Sequence, residues 1–292
     1  MSDPTTSPPT RPISLAYSVD ADDAFMFYAL REGRIDSEGL SFSHHRDHTA
    51  ALNRLAAEGE RDVVAVSLGA YPTFAGAYQL LPHGASVGRG FGPVVVAKRP
   101  MTVAQLAGAR VGIPGRTTTA WMVLRLIQPA AVGVEVPIFP FARIFEALDA
   151  GEIDAALLIH EGRLIYPSRG LHKVVDLGEW WQAEAGLPLP LGVNVIRRAL
   201  GPATVTRVSR VLRASIAWAL ANREEIIANI SQEDRGEKAL SQPELIDYYL
   251  NLYANQDTAA IADDARRAVD ELFGRARAAG LIGADVAADW SD

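Results

Sequence analysis

Short apolar runs alternate with helical patterns through most of the first 200 residues. The runs Ile13–Ser18, Leu40–His44, Val63–Ser67, Tyr78–Pro82, Pro93–Ala97, Arg110–Ile113, Val134–Phe139, Ile153–His160, Lys173–Leu177 and Gly192–Arg197 have the length and composition of strands. Three- and four-residue apolar spacing predicts helices over Asp22–Arg31, Ala50–Glu58, Val103–Leu106, Thr118–Gln128 and Ala142–Ala150. Strands alternating with helices are the pattern of an α/β domain with largely parallel strands. From Pro202 the character changes, because Val205, Val208, Leu212, Ile216 and Ala219 recur on one face of a long amphipathic helix. Helical patterns continue through Pro243–Ala254 and Ala259–Ala279.

Two apolar segments, Val94–Ala97 and Val193–Ile196, each run into basic residues and read as crossovers between two lobes. Residues 98–195 then form one lobe, and residues 13–97 plus 196–292 form the other. A discontinuous plan of this kind clamps a ligand between lobes. The alternative is one large sheet decorated with helices.

The chain has 292 residues, enough for one or two cores, and its 49% hydrophobic and 22% charged residues are those of a globular protein. A net charge of −7 and the lack of a basic stripe argue against a nucleic-acid partner. There are no cysteines, which removes disulfides, thiolate metal sites and thiol nucleophiles together. Residues 1–12 contain four prolines and three threonines and read as a disordered leader without the apolar stretch of a signal peptide. No run approaches the roughly 18 apolar residues of a membrane span, so a cytoplasmic location with no membrane partner is expected.

Ligands of open α/β sheets sit beyond the carboxyl ends of strands. Four such ends here carry hydroxyl or imidazole groups. One is Tyr17-Ser18, followed by Asp20, Asp22 and Asp23; another is Val66-Ser67; a third is Ile113-Pro114-Gly115-Arg116-Thr117-Thr118-Thr119, a turn into a helix. The first turn of that helix offers unpaired N–H groups and a positive dipole end to an anion, although a threonine there also serves as an ordinary cap. The fourth is His160, at the end of Leu157-Leu158-Ile159. An imidazole titrating near ~6.5 accepts a proton at neutral pH without further tuning, and a strand-end histidine bonded to a carbonyl is the competing account. Strand alternation would put His160 and Glu161 on opposite faces, leaving Glu161 and Arg163 to scaffold roles.

Other patterns carry less. Gly84–Pro93 is glycine-rich but opens no helix and is neither a P-loop nor a dinucleotide fingerprint, so it reads as a tight connection or a close backbone approach to ligand. His44, His45 and His48 lack a carboxylate partner at metal-ligand spacing, so no metal and no cofactor are expected. Trp180-Trp181 reads as lobe packing, with an aromatic wall against a flat ligand as the other option.

Taken together, Gly88-Arg89-Gly90-Phe91-Gly92-Pro93, Pro114–Ala120, Ile159-His160-Glu161-Gly162-Arg163, Asp176–Trp181 and Gly186–Gly192 resemble the 1,4-dihydroxy-6-naphthoate synthase family of the futalosine route to menaquinone, over about residues 13–280. The resemblance implies a two-lobed, periplasmic-binding-protein-like (type II) fold. It implies a lyase acting on cyclic dehypoxanthine futalosine, a small carboxylated aromatic substrate. His160 would be the proton acceptor, with Ser67, Thr118 and Thr119 contacting ligand. Family members typically show Ser-Pro-Cys-Pro-Asn-Asp-Thr-Phe where this chain has Ser18-Val19-Asp20-Ala21-Asp22-Asp23-Ala24-Phe25, which keeps Ser18, Asp23 and Phe25 and adds carboxylates. Ser18 and Asp23 are accordingly expected at the substrate. A non-catalytic solute-binding protein and a chorismate dehydratase share the expected architecture and stand as alternatives.

Overall fold

The computed structural model describes residues 11–137, 142–233 and 241–291. Eleven strands are described: β1 (Ile13–Tyr17), β2 (Phe42–Arg46), β3 (Val63–Ser67), β4 (Tyr78–Leu80), β5 (Ser86–Gly88), β6 (Val94–Ala97), β7 (Arg110–Ile113), β8 (Val132–Glu135), β9 (Ala155–Leu158), β10 (His172–Asp176) and β11 (Leu189–Arg197). They form two sheets, one ordered β2-β1-β3-β11-β4 with β5 also on β11, the other β10-β6-β9-β7-β8.

Both sheets are mixed. The helix-linked neighbours β1, β2 and β3 pair in parallel, as do β7, β8 and β9. The strands that enter from the opposite sheet, β6 and β11, pair antiparallel, because they arrive without a helical crossover to turn them round. Val94–Ala97, expected to close the first lobe, is a central strand of the second sheet and is buried along its whole length. Likewise Leu189–Val195, expected in the second lobe, belongs to β11 of the first sheet. An apolar crossover strand is covered on both faces wherever it pairs, so hydropathy alone does not say which sheet owns it.

Three other expectations shift. The glycine-rich stretch contains β5, and its last glycine packs against another backbone: a Cβ on Gly92 would lie 2.7 Å from Gly178 N, and one on Gly178 would lie 2.0 Å from the Phe91 carbonyl carbon. The run expected at Val134–Phe139 is the strand Val132–Glu135, with Phe139 outside the described residues. Arg11, placed in the leader, forms a bidentate pair with Asp62 at 2.6 and 2.8 Å, and Asp62 also accepts from Ser14 N and Oγ.

The C-terminal helices complete the core. Phe273, on the Asp263–Ala278 helix, stacks on Tyr71 with ring centroids 6.2 Å apart. The Pro243–Tyr253 helix buries Ile246, Tyr249, Leu250 and Tyr253 in a cluster with Phe25 and Ala21. That packing brings a residue from the far end of the sequence to the ends of β1 and β9.

Candidate active site

Beyond β1 the chain winds tightly into the Ala21–Met26 helix. Ser18 N donates to Asp23 Oδ2 at 2.6 Å, and Asp20 N donates to Ser18 Oγ at 3.1 Å. Asp20, Asp22 and Asp23 are all buried. Burial and the neighbouring Asp22 carboxylate push the Asp23 carboxyl up to about 7. Burial also raises Asp22, with Asp20 adding to the shift and His160 opposing it.

The end of β3 is held from the neighbouring Thr49–Ala57 helix. Asn53 Oδ1 accepts from Ser67 N at 2.9 Å, and Asn53 Nδ2 donates to Thr117 Oγ1 at 3.1 Å. Next to it, Gly69 approaches the Thr119–Ile127 helix so closely that a Cβ would sit 3.0 Å from Thr119 N. Both threonine hydroxyls are engaged inside the protein. Thr118 Oγ1 donates to Gly115 O and accepts from Trp121 N as the helix cap. Thr119 Oγ1 accepts from Gly69 N at 2.9 Å and donates to Leu191 O at 2.6 Å. What this terminus offers a ligand is therefore mainly the first-turn N–H groups of Thr119 and Ala120, which have no intrahelical acceptor.

β9 stops at Leu158, two residues before the end expected from the apolar run, and His160 sits in a left-handed turn at φ 49°. The turn breaks strand alternation. Glu161, fully buried, reaches the other sheet, where its Oε1 accepts from Ala21 N at 3.1 Å, a favourable place for a negative charge at a helix start. Arg163 donates to Gly92 O at 2.7 Å and to Asp176 Oδ2 at 2.9 Å.

His160 meets polar groups at both ring nitrogens. Nε2 lies 3.0 Å from Thr49 Oγ1 and 3.3 Å from Asp20 Oδ2, and Nδ1 lies 3.4 Å from Tyr249 Oη. The Asp20 contact is an ion-pair approach without a hydrogen bond. Burial favours the neutral ring, but Asp20, Asp22, Glu161 and Asp23 together outweigh it and raise the imidazole above its ordinary value. Ser18, Asp23, Ser67, Thr118, Thr119 and His160 all line one cavity between the two sheets.

Sequence reasoning missed Thr49 and Tyr249. Tyr249 and Tyr253 are spaced one helical turn apart on an apolar face, which gives them the pattern of core residues. Asp20, which immediately precedes the Ala21–Met26 helix, lies beside the imidazole. Trp181 is fully buried and donates Nε1–H to Pro188 O at 3.0 Å, away from the cavity. His48 Nδ1 caps the Thr49–Ala57 helix by accepting from Ala51 N. Among the described residues, no cluster of three or more His, Asp or Glu is arranged to hold a metal ion, and no helix is long and apolar enough to cross a membrane.

A family model described as menaquinone biosynthesis matches residues 13–278, which spans both sheets and every side chain that lines the cavity. The chain belongs to the menaquinone biosynthesis family. Within that family it is similar to the 1,4-dihydroxy-6-naphthoate synthase of Thermus thermophilus, 38% identical over 92% of this chain and 95% of that one. It is 36% identical to the enzyme of that name from Streptomyces coelicolor, over 92% and 94% of the two chains. A crystal structure of a protein from Archaeoglobus fulgidus superposes with a TM-score of 0.86 at 40% identity, covering 94% of this chain and all of that one. The fold of this family member is periplasmic-binding-protein-like. The alkanesulfonate-binding protein SsuA of Xanthomonas axonopodis pv. citri matches it with a TM-score of 0.71 at 14% identity, over 97% and 98% of the two chains.

Proposed function

We propose that the protein is a cytoplasmic 1,4-dihydroxy-6-naphthoate synthase, a lyase that fragments cyclic dehypoxanthine futalosine in a cleft between two lobes, one built on each sheet. The observation that carries this reading is the sharing of one cavity by a half-buried imidazole and a helix N-terminus. The substrate carboxylate binds the first-turn N–H groups at Thr119 and Ala120, close to Ser67. Neutral His160 then removes a carbon-bound proton to start fragmentation, and the surrounding carboxylates stabilise the imidazolium that results. Thr49 and Tyr249 orient the ring. The test is to assay the purified protein with cyclic dehypoxanthine futalosine and chorismate side by side, following 1,4-dihydroxy-6-naphthoate by absorbance. Conversion of the first substrate alone is expected; binding without turnover of either overturns the reading in favour of a binding protein.

A base works only when unprotonated, so kcat/KM falls as pH drops through the titration of His160. That titration lies above the ordinary 6.5, which puts the acid limb of the profile above 6.5. The limb belongs jointly to His160 and the buried carboxyls of Asp22 and Asp23, which are themselves raised. Asp20→Asn removes the nearest negative charge, 3.3 Å from Nε2, and is expected to move the limb to lower pH. A limb that stays in place or rises in Asp20→Asn contradicts His160 as the titrating base.

A further inference from the structure

The cavity has a polar end to which the proposed mechanism gives no task. Asn194 lies on β11 and is 1% exposed, yet among the described residues neither its Nδ2 nor its Oδ1 has a hydrogen-bond partner. Asp22 is 6% exposed; its Oδ2 accepts from Ser86 Oγ at 2.9 Å, while its Oδ1 has no partner among the described residues. Asn194, Asp22 and Ser86 all line the cavity. Ser86 on β5 pairs across the ladder with Gly192 of β11, and Gly192 precedes Asn194 by two residues, so Ser86 and Asn194 project from the same face of the sheet.

Burying an amide with both ends unpaired is costly, because each group loses its water without replacement. The backbone around it is cut to leave room: a Cβ on Gly84 would lie 2.0 Å from Asn194 Nδ2. Gly84 also has φ 77°, a conformation that favours glycine.

We propose that Asn194 and Asp22 form a hydroxyl-recognition subsite that binds the ribose-derived part of the substrate. The inference rests on the function proposed above. An amide that offers one donor edge and one acceptor edge, beside a carboxylate oxygen that accepts, is satisfied by neighbouring hydroxyls, each of which donates and accepts. An uncharged group suits this end better than an anion, because the acidic side chains of Asp22 and Asp23 line the same space. The two ends of the cavity therefore sort the substrate by charge: the carboxylate goes to the helix N-terminus, and the uncharged polyol goes to Asn194 and Asp22. Sites built on paired polar groups discriminate strongly against ligands lacking the matching hydroxyl.

The aromatic product has lost the ribose-derived ring, which allows a test. Asn194→Leu keeps the branched four-atom outline of the side chain and removes both polar edges. Its kcat/KM for cyclic dehypoxanthine futalosine is expected to fall about 10- to 100-fold, the effect of losing two hydrogen bonds. Its calorimetric Kd for 1,4-dihydroxy-6-naphthoate should stay within about twofold, since that ligand makes no call on the subsite. Unchanged kcat/KM, or equal weakening towards substrate and product, overturns the subsite. Asn194→Ser retains a small polar group and is expected to show the same split at smaller size, so it decides the matter if Asn194→Leu fails to fold. Wild-type protein that does not turn over the substrate overturns the functional reading itself, a result separable from failure of the subsite alone.

Discussion

His160→Asn is expected to bind 1,4-dihydroxy-6-naphthoate normally while losing roughly 10²–10⁴-fold in kcat, the usual contribution of a positioned general base. Asparagine is the appropriate replacement for two reasons. His160 occupies the left-handed region at φ 49°, which asparagine tolerates better than alanine or leucine. Its amide also preserves polar character beside Thr49 and Tyr249. What it lacks is a nitrogen that takes up a proton near neutral pH. The pH dependence of any residual turnover should also lose the acid limb assigned to the imidazole. Near-wild-type kcat in a folded His160→Asn protein would remove His160 from the chemistry.

Trp181→Ala is expected to destabilise the protein by about 3–5 kcal/mol, the range for deleting a large buried aromatic side chain. That corresponds to a fall of roughly 5–8 °C in Tm. The indole is fully buried, and Arg275 lies over its ring with the guanidinium carbon 5.1 Å from the centroid. Truncation leaves a cavity and strips the Pro188 carbonyl of its donor. Trp180, only partly buried, should cost less on the same change. Because Trp181 lies outside the ligand cavity, KM measured well below the transition should not change. A raised KM with unaltered Tm would instead make the indole a wall of the binding site.

The elements most legible in the sequence were those with a single dominant signal. Continuous apolar runs gave β3, β6 and β9, each buried throughout, and the abrupt end of one such run pointed to His160. Partnership was harder to read. The same hydropathy that revealed β6 concealed which sheet it joins, since central strands of both sheets are apolar on both faces. β5 was hidden because three residues bracketed by glycines have no measurable period. Tyr249 was hidden because a tyrosine that packs and a tyrosine that also touches His160 have the same helical spacing; only the docking of the Pro243–Tyr253 helix onto the Ala21–Met26 helix tells them apart. Thr118 and Thr119 show the opposite error of emphasis. They lie where the turn chemistry put them, but their hydroxyls serve the fold, leaving the backbone to face the cavity.

The Thr119 hydroxyl has a mechanical consequence. Its helix follows β7 of the second sheet, whereas its two partners, Gly69 N and Leu191 O, lie on segments of the first. One oxygen atom thus ties a helix of the second sheet to two segments of the first. Parting the halves at this point breaks two hydrogen bonds, each worth only about 1 kcal/mol net.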